Sequence, residues 1–111
     1  MENTVDIKKV AEQNDKFRTT FMGGKVLMTS GISALTPLQQ AEIINKVKTF
    51  NEFTEDNDPY GEHDFGCFEY TGMHIFWKID LYDINYEFYS PQPDDTTQTN
   101  RVLTIMLAEE Y

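Results

Sequence analysis

Apolar residues near the start of the chain recur at helical spacing. From Thr4 to about Phe21, the positions Ile7, Val10, Ala11, Phe17 and Phe21 are three, four and seven residues apart, while Lys8, Lys9, Gln13 and Lys16 fall mostly elsewhere. That pattern predicts an amphipathic helix, ended by Gly23-Gly24. Lys25 to Thr29 then reads as a short strand with Gly31 beyond it. Thr36-Pro37-Leu38-Gln39 supplies a cap, a proline at the first helical position and a glutamine three residues after the cap. These residues start a second helix whose apolar face is Leu38, Ala41, Ile43, Ile44, Val47 and Phe50.

Residues 51–63 show neither period and contain Asn51, Asn57, Asp58, Pro59 and Gly61, which predicts a long surface loop of the kind that often carries function. Phe65 to Tyr70, Met73 to Leu81 and Tyr86 to Tyr89 are aromatic and β-branched, with Thr71-Gly72 as a tight turn between the first two. A three-strand meander follows. Ser90-Pro91-Gln92-Pro93-Asp94-Asp95 breaks it, and Thr96 or Thr97 is placed to cap a last helix carrying Val102, Leu103, Ile105, Met106 and Leu107. The order helix, strand, helix, three strands, helix gives an α+β class: a mostly antiparallel sheet of about four strands with three helices on one face. At 111 residues a single domain spanning 1–111 is expected.

Charge changes this picture. Residues 1–48 carry seven Lys/Arg against five Asp/Glu, and residues 49–111 carry two against fourteen, so the net charge of −10 arises in the second half. With 40% hydrophobic and 14% aromatic residues the chain is too apolar to be an acidic disordered segment, so the charge belongs on a folded surface. The single cysteine, Cys67, excludes an internal disulfide and a cysteine-based zinc site, and in a strand its usual fate is burial as a small apolar side chain. A polar start at Met1, without an apolar signal region, points to a reducing cytoplasm. No apolar run approaches the roughly 18–20 residues of a membrane span, and anionic lipid repels such a chain.

Long strings in the chain are characteristic: Asn14-Asp15-x-Phe17-Arg18, Gly23-Gly24, Phe53-Thr54-x-Asp56-Asn57-Asp58-Pro59-x-Gly61-Glu62-His63-Asp64-Phe65-Gly66, Phe76-Trp77-Lys78-Ile79-Asp80-x-Tyr82-Asp83 and Arg101 to Tyr111. On these the chain, from about Asn14 to Tyr111, resembles a family of short bacterial proteins known only as a domain of unknown function and associated with plasmids and prophages. The resemblance implies no activity, cofactor or partner. Its mobile-element association shifts the expectation toward proteins that help incoming DNA survive host defence.

Asp56-x-Asp58-x-Tyr60-Gly61-x-x-Asp64 matches positions one, three, six and nine of a calcium loop, but Tyr60 stands at position five and Cys67 at position twelve, where a bidentate Glu is required. Asp56, Asn57 and Asp58 are better explained as turn residues that bond backbone amides. Glu62, His63, Asp64, His74, Asp80 and Asp83 offer ligands for metal-dependent hydrolysis without supporting spacing, and Phe76 stands where a restriction-type nuclease places an acid two residues before Lys78. Neither a metal, a cofactor nor catalytic residues are expected.

In a strand, Phe76, Lys78, Asp80 and Tyr82 share one side, and Trp77, Ile79 and Leu81 face the core. Lys78 then pairs with Asp80 and with cross-strand acids such as Glu69 or Glu87. Direct nucleic-acid binding is disfavoured, since only Lys8, Lys9, Lys16, Arg18 and Lys25 approach a basic cluster, mostly on the exposed face of the first helix. Twelve acids between Glu52 and Asp95, interleaved with aromatics, favour a basic protein partner, for which a nucleic-acid-binding complex is one candidate. The expected function is a non-catalytic acidic binding protein using Glu55, Asp56, Asp58, Tyr60, Glu62, His63, Asp64, Lys78, Asp80 and Tyr82, with inhibition of a host nucleic-acid-processing or defence complex as one such role. Self-association stays open. The alternatives are a metal-dependent enzyme centred on His63, Asp64, Lys78 and Asp80, and a small-ligand pocket around Trp77, Lys78 and Tyr82.

Overall fold

Helix α1 (Ile7–Thr20) begins where the Asp6 carboxylate accepts a hydrogen bond from the Lys9 amide, in a computed structural model that describes residues 4–111. The chain start at Met1 lies outside the described residues. The helix stops at Phe21, before the Gly23-Gly24 pair: Phe21 adopts φ 59° and its amide donates to the Phe17 carbonyl at 2.7 Å. Its inward stripe is Val10, Ala11, Asn14, Phe17 and Arg18, so two polar residues occupy core-facing positions. Gly24 opens strand β1 (Gly24–Met28) where a Cβ would meet the Arg101 carbonyl oxygen at 2.5 Å and the Phe17 ring at 2.8 Å.

A short helix that the pattern does not predict, α2 (Ser30–Ser33), precedes α3 (Pro37–Lys48). The expected cap of α3 forms: the Gln39 amide donates to Thr36 Oγ1, and the Thr36 amide donates to Gln39 Oε1. The inward face of α3 is narrower than predicted, with Ile43 and Val47 buried and Leu38 and Ala41 exposed. β2 (Phe65–Tyr70) and β3 (Met73–Tyr82) form the expected antiparallel hairpin, turning at Thr71-Gly72 with positive φ at both residues.

The predicted last helix is instead strand β4 (Asn100–Leu107), followed by a single 3₁₀ turn over Ala108–Glu110. β4 is central in the sheet, whose order is β1-β4-β3-β2: it is parallel to β1 and antiparallel to β3. Because Val102 and Met106 are buried on one face and Leu103 and Ile105 on the other, its sequence lacks period-two alternation and imitates a helix. Neither Thr96 nor Thr97 caps a helix. Both Thr97 donors, the amide and Oγ1, bond Asp95 Oδ1 within a turn. The predicted strand at 86–89 is a loop that touches β3 through one bridge, Tyr82 with Tyr89.

The class is therefore α+β, with three helices and a four-stranded, mostly antiparallel sheet, and only the membership of the elements differs. Val10 and Phe17 of α1, Ile32 of α2, and Ile43 and Val47 of α3 pack onto Ile75, Trp77, Ile79 and Leu81 of β3 and Leu103 and Ile105 of β4. The expected phase of β3 holds. Among the described residues no helix is long and apolar enough to cross a membrane.

Candidate functional site

Because the helices cover one face of the sheet, the other face carries Phe76, Lys78, Asp80 and Tyr82 of β3 beside Val102, Thr104 and Met106 of β4. Lys78 Nζ lies 3.0 Å from Asp80 Oδ2, and that hydrogen bond raises the lysine pKa. Both side chains are partly solvated, so the pair contributes only about 0–1 kcal/mol. The anticipated cross-strand acids do not join it. Phe65 and Thr104 stand opposite Lys78, Glu69 stands opposite His74, and Glu87 belongs to the loop after β3. Cys67 is exposed and not buried, because β2 turns Gly66 and Tyr70 inward and sends Cys67 to the open face beside Phe76. A hollow of about 440 Å³ crosses this face between Leu27 and Tyr111, over Val102, Thr104 and Met106.

The 51–64 loop is shaped by turns, as Asn57 and Asp58 suggested. Asn57 Oδ1 accepts from the Thr54 amide and its Nδ2 donates to the Glu52 carbonyl, while the buried Asp58 carboxylate accepts from the His63 amide. His63 has φ 54° and stacks flat on Phe53 with ring centroids 3.9 Å apart. Its Nδ1 lies 2.9 Å from Asp15 Oδ2, which ties the loop to α1. Arg18, expected on the exposed helix face, is 2% exposed. Its guanidinium lies over the Trp77 and Phe53 rings, bonds Asp15 at 3.0 Å, and donates to the Val47 carbonyl at the end of α3.

These contacts divide the expected site residues. Glu55, Asp56 and Tyr60 are exposed on the loop, whereas Asp58 and His63 are engaged within it. Glu62 and Asp64, by contrast, meet Asp80 and Tyr82 in a cleft of about 190 Å³ along the margin of β3, which Tyr89 also lines. The chain is fixed there because the Asp64 carbonyl accepts from the Ile79 amide and the Glu62 carbonyl from Asn14 Nδ2. Burial raises the pKa of Asp64, and the neighbouring charges of Asp58 and Asp80 raise it further. Burial likewise raises Glu62, reinforced by Asp64 and Asp58, and raises the Tyr89 hydroxyl, reinforced by Glu62 and Asp64. Among the described residues no Lys, Arg or His forms an ion pair with Glu62 or Asp64.

Beside the cleft, Asp83 Oδ1 accepts the Asn85 and Glu87 amides and folds a loop that exposes Ile84, Tyr86, Phe88 and Tyr89. Strand logic assigned part of that loop to the sheet and so missed Tyr89 as a cleft wall. Asn14 and Arg18 were also missed as core-facing residues, although they fall on the Val10, Ala11 and Phe17 stripe, the signal that reveals them. Trp77 cannot share a pocket with Lys78 and Tyr82, since it is fully buried on the opposite face.

His63 faces Asp15 and Asp58 while Lys78 and Asp80 lie on the open face, and among the described residues no group of three His, Cys, Asp or Glu is placed to hold a metal ion. The chain belongs to the family described as protein of unknown function (DUF3768), whose model matches residues 28–110 and so covers the loop, the cleft and most of the sheet. No curated protein matches the chain. No solved structure matches it either.

Proposed function

We propose that this chain is a non-catalytic binding protein whose Glu62–Asp64–Asp80 cleft and adjoining aromatic loop receive a basic segment of a protein partner. The observation that carries the reading is the electrostatic state of the cleft: two half-buried carboxyls are pushed up in pKa, and among the described residues neither has a paired cation. A guanidinium or ammonium entering between them reverses the sign of the field they feel and gains charge-assisted hydrogen bonds. Ile84, Tyr86, Phe88 and Tyr89 provide the apolar and aromatic anchors that such a contact uses. Glu55, Asp56 and Tyr60 widen the acidic surface and steer encounter. Lys78, held by Asp80, marks its border.

Proteins that handle nucleic acid carry basic sites, so blocking a nucleic-acid-processing or host defence complex is the role we assign to this surface. The test compares affinity capture from host lysate by the native protein and by a folded Glu62→Gln, Asp64→Asn variant, followed by a salt series on the captured partner. A partner lost with the variant, and bound more slowly as salt rises, supports the reading. Equal, salt-insensitive binding by both forms refutes it and moves the site to the hollow beside Lys78 and Tyr82.

A further inference from the structure

Two arginines are buried, Arg18 within α1 and Arg101 on β4, and their partners differ. Arg18 has the Asp15 carboxylate at 3.0 Å. Arg101, 3% exposed on the helix-facing side of β4, is held by neutral acceptors alone: Nε donates to Asn14 Oδ1 at 2.9 Å, and Nη2 donates to Gln13 Oε1 at 2.9 Å and to the Pro93 carbonyl at 3.2 Å. Its Nη1 has no acceptor among the described residues and keeps contact with solvent, the side from which an anion can reach it. Nearby carboxylates are engaged elsewhere, Asp94 by the Asp6 amide and Gln92, and Asp95 by Thr97. A guanidinium taken out of water without a counter-charge is costly, and an anion within reach relieves that cost.

Arg101 lines a cavity of about 350 Å³ with room for one. Lys16 of α1 lines it with a second cation, Thr96 adds a hydroxyl, and Phe17 and Met22 supply an apolar wall. That volume lies at the small end of ordinary small-molecule sites, and two cations with a planar fork suit an oxyanion.

We propose that this cavity binds a small molecule through its carboxylate or phosphate group, with Arg101 Nη1 and Lys16 as the anchoring donors. The cavity's lining shares no residue with that of the acidic cleft, and the proposal does not depend on the partner reading. A net charge of −10 disfavours adsorption of anions over the surface at large, so saturable uptake reports a built site.

The test is calorimetry and amide NMR of the full chain titrated with inorganic phosphate or with acetate, against chloride at equal ionic strength. The two arms tell phosphate from carboxylate chemistry. We expect saturable binding of one of them, with shifts at Gly23, Thr96 and Arg101. Lys16→Gln, at an exposed position, keeps the fold and should bind about tenfold more weakly, as for loss of one charge-assisted contact. Arg101→Lys, if folded by circular dichroism, should lose binding further, because the fork is gone. No saturable binding of either anion overturns the proposal, as does binding that Lys16→Gln leaves unchanged.

Discussion

Replacing Trp77 with alanine probes the frame that sets every side-chain direction on β3. Trp77 is fully buried, meets the Phe50 and Phe53 rings edge-on at 5.5 and 6.1 Å, and lies beneath the Arg18 guanidinium at 5.0 Å. An indole of this kind removes about 200 Å² from water. At about 25 cal/mol per Å², that burial contributes about 5 kcal/mol. Loss of the cation–π contact adds about 1 kcal/mol. Against this, Nε1 is buried with no hydrogen-bond acceptor among the described residues, and deleting it returns about 1–3 kcal/mol of desolvation cost. The net loss is about 4 kcal/mol, within the range for aromatic truncation, and it leaves a domain of ordinary stability barely folded. Trp77→Phe keeps most of the apolar body and discards the unpaired N–H, so it should cost only about 1 kcal/mol. Urea unfolding followed by far-ultraviolet circular dichroism measures both, since the only tryptophan is lost. An alanine variant less than about 1.5 kcal/mol below the native protein, or a phenylalanine variant as damaged as alanine, refutes the argument.

Three further outcomes are expected. Calcium, magnesium or zinc at millimolar level should leave the melting temperature unchanged, because a native-state ligand alone raises it; a rise of several degrees abolished by Asp64→Ala would restore the metal-site alternative. Glu110 accepts from Thr29 Oγ1 and from the Gly31 and Leu107 amides, bonds that hold its pKa below the ordinary value, led by the Thr29 contact. Its contribution is fully present above about pH 4.3 and is lost as pH falls through the lowered value, so native and Glu110→Gln melting curves should converge in acid. Glu62 and Asp64 have the opposite sign: burial raises both, their ionisation opposes folding, and stability recovers as pH falls through the raised values toward about 3.9–4.3. The Glu62→Gln, Asp64→Asn variant should therefore melt above the native protein at neutral pH, with the gap closing in acid, and a native protein that melts higher at pH 7 contradicts an unpaired cleft.

Local chemistry made the hairpin, the cap of α3 and the phase of β3 legible, because each depends on residues within a few positions: Thr71-Gly72, Thr36 with Gln39, and the alternation from Ile75 to Leu81. What stayed hidden depends on neighbours distant in sequence. β4 is a strand because β1 and β3 flank it, with buried apolar residues on both of its faces, and its composition alone does not reveal this. Tyr86 to Tyr89 has strand composition, yet Asp83 captures the Asn85 and Glu87 amides and curls the chain into a loop. The acids of the site were legible as a group, but which of them are engaged was not: Asp58 and His63 have partners five and 48 residues away.

The charge split along the sequence becomes a mechanical link in the fold. Asn14 reaches the Glu62 carbonyl and Arg101, Asp15 reaches His63, and Arg18 reaches the end of α3 across the Phe53 and Trp77 rings. One polar stripe on α1 thus fastens the 51–64 loop to the body of the molecule. Carboxylates on a free loop turn toward water and keep ordinary pKa values. Glu62 and Asp64 are half-buried because their backbone is pinned by Asn14 and by the Ile79 amide, which leaves them facing Asp80 and Tyr89 before any partner arrives. A cleft ordered in advance spares a partner the entropy of arranging it, and the strain of its unpaired charges is released on contact with a cation. Cutting the pin separates that effect from charge alone: Asn14→Ala leaves every carboxylate in place, yet should slacken the loop and weaken partner binding chiefly through faster dissociation. Dissociation unchanged in a folded Asn14→Ala protein would show that the acids act by net charge, without a fixed geometry.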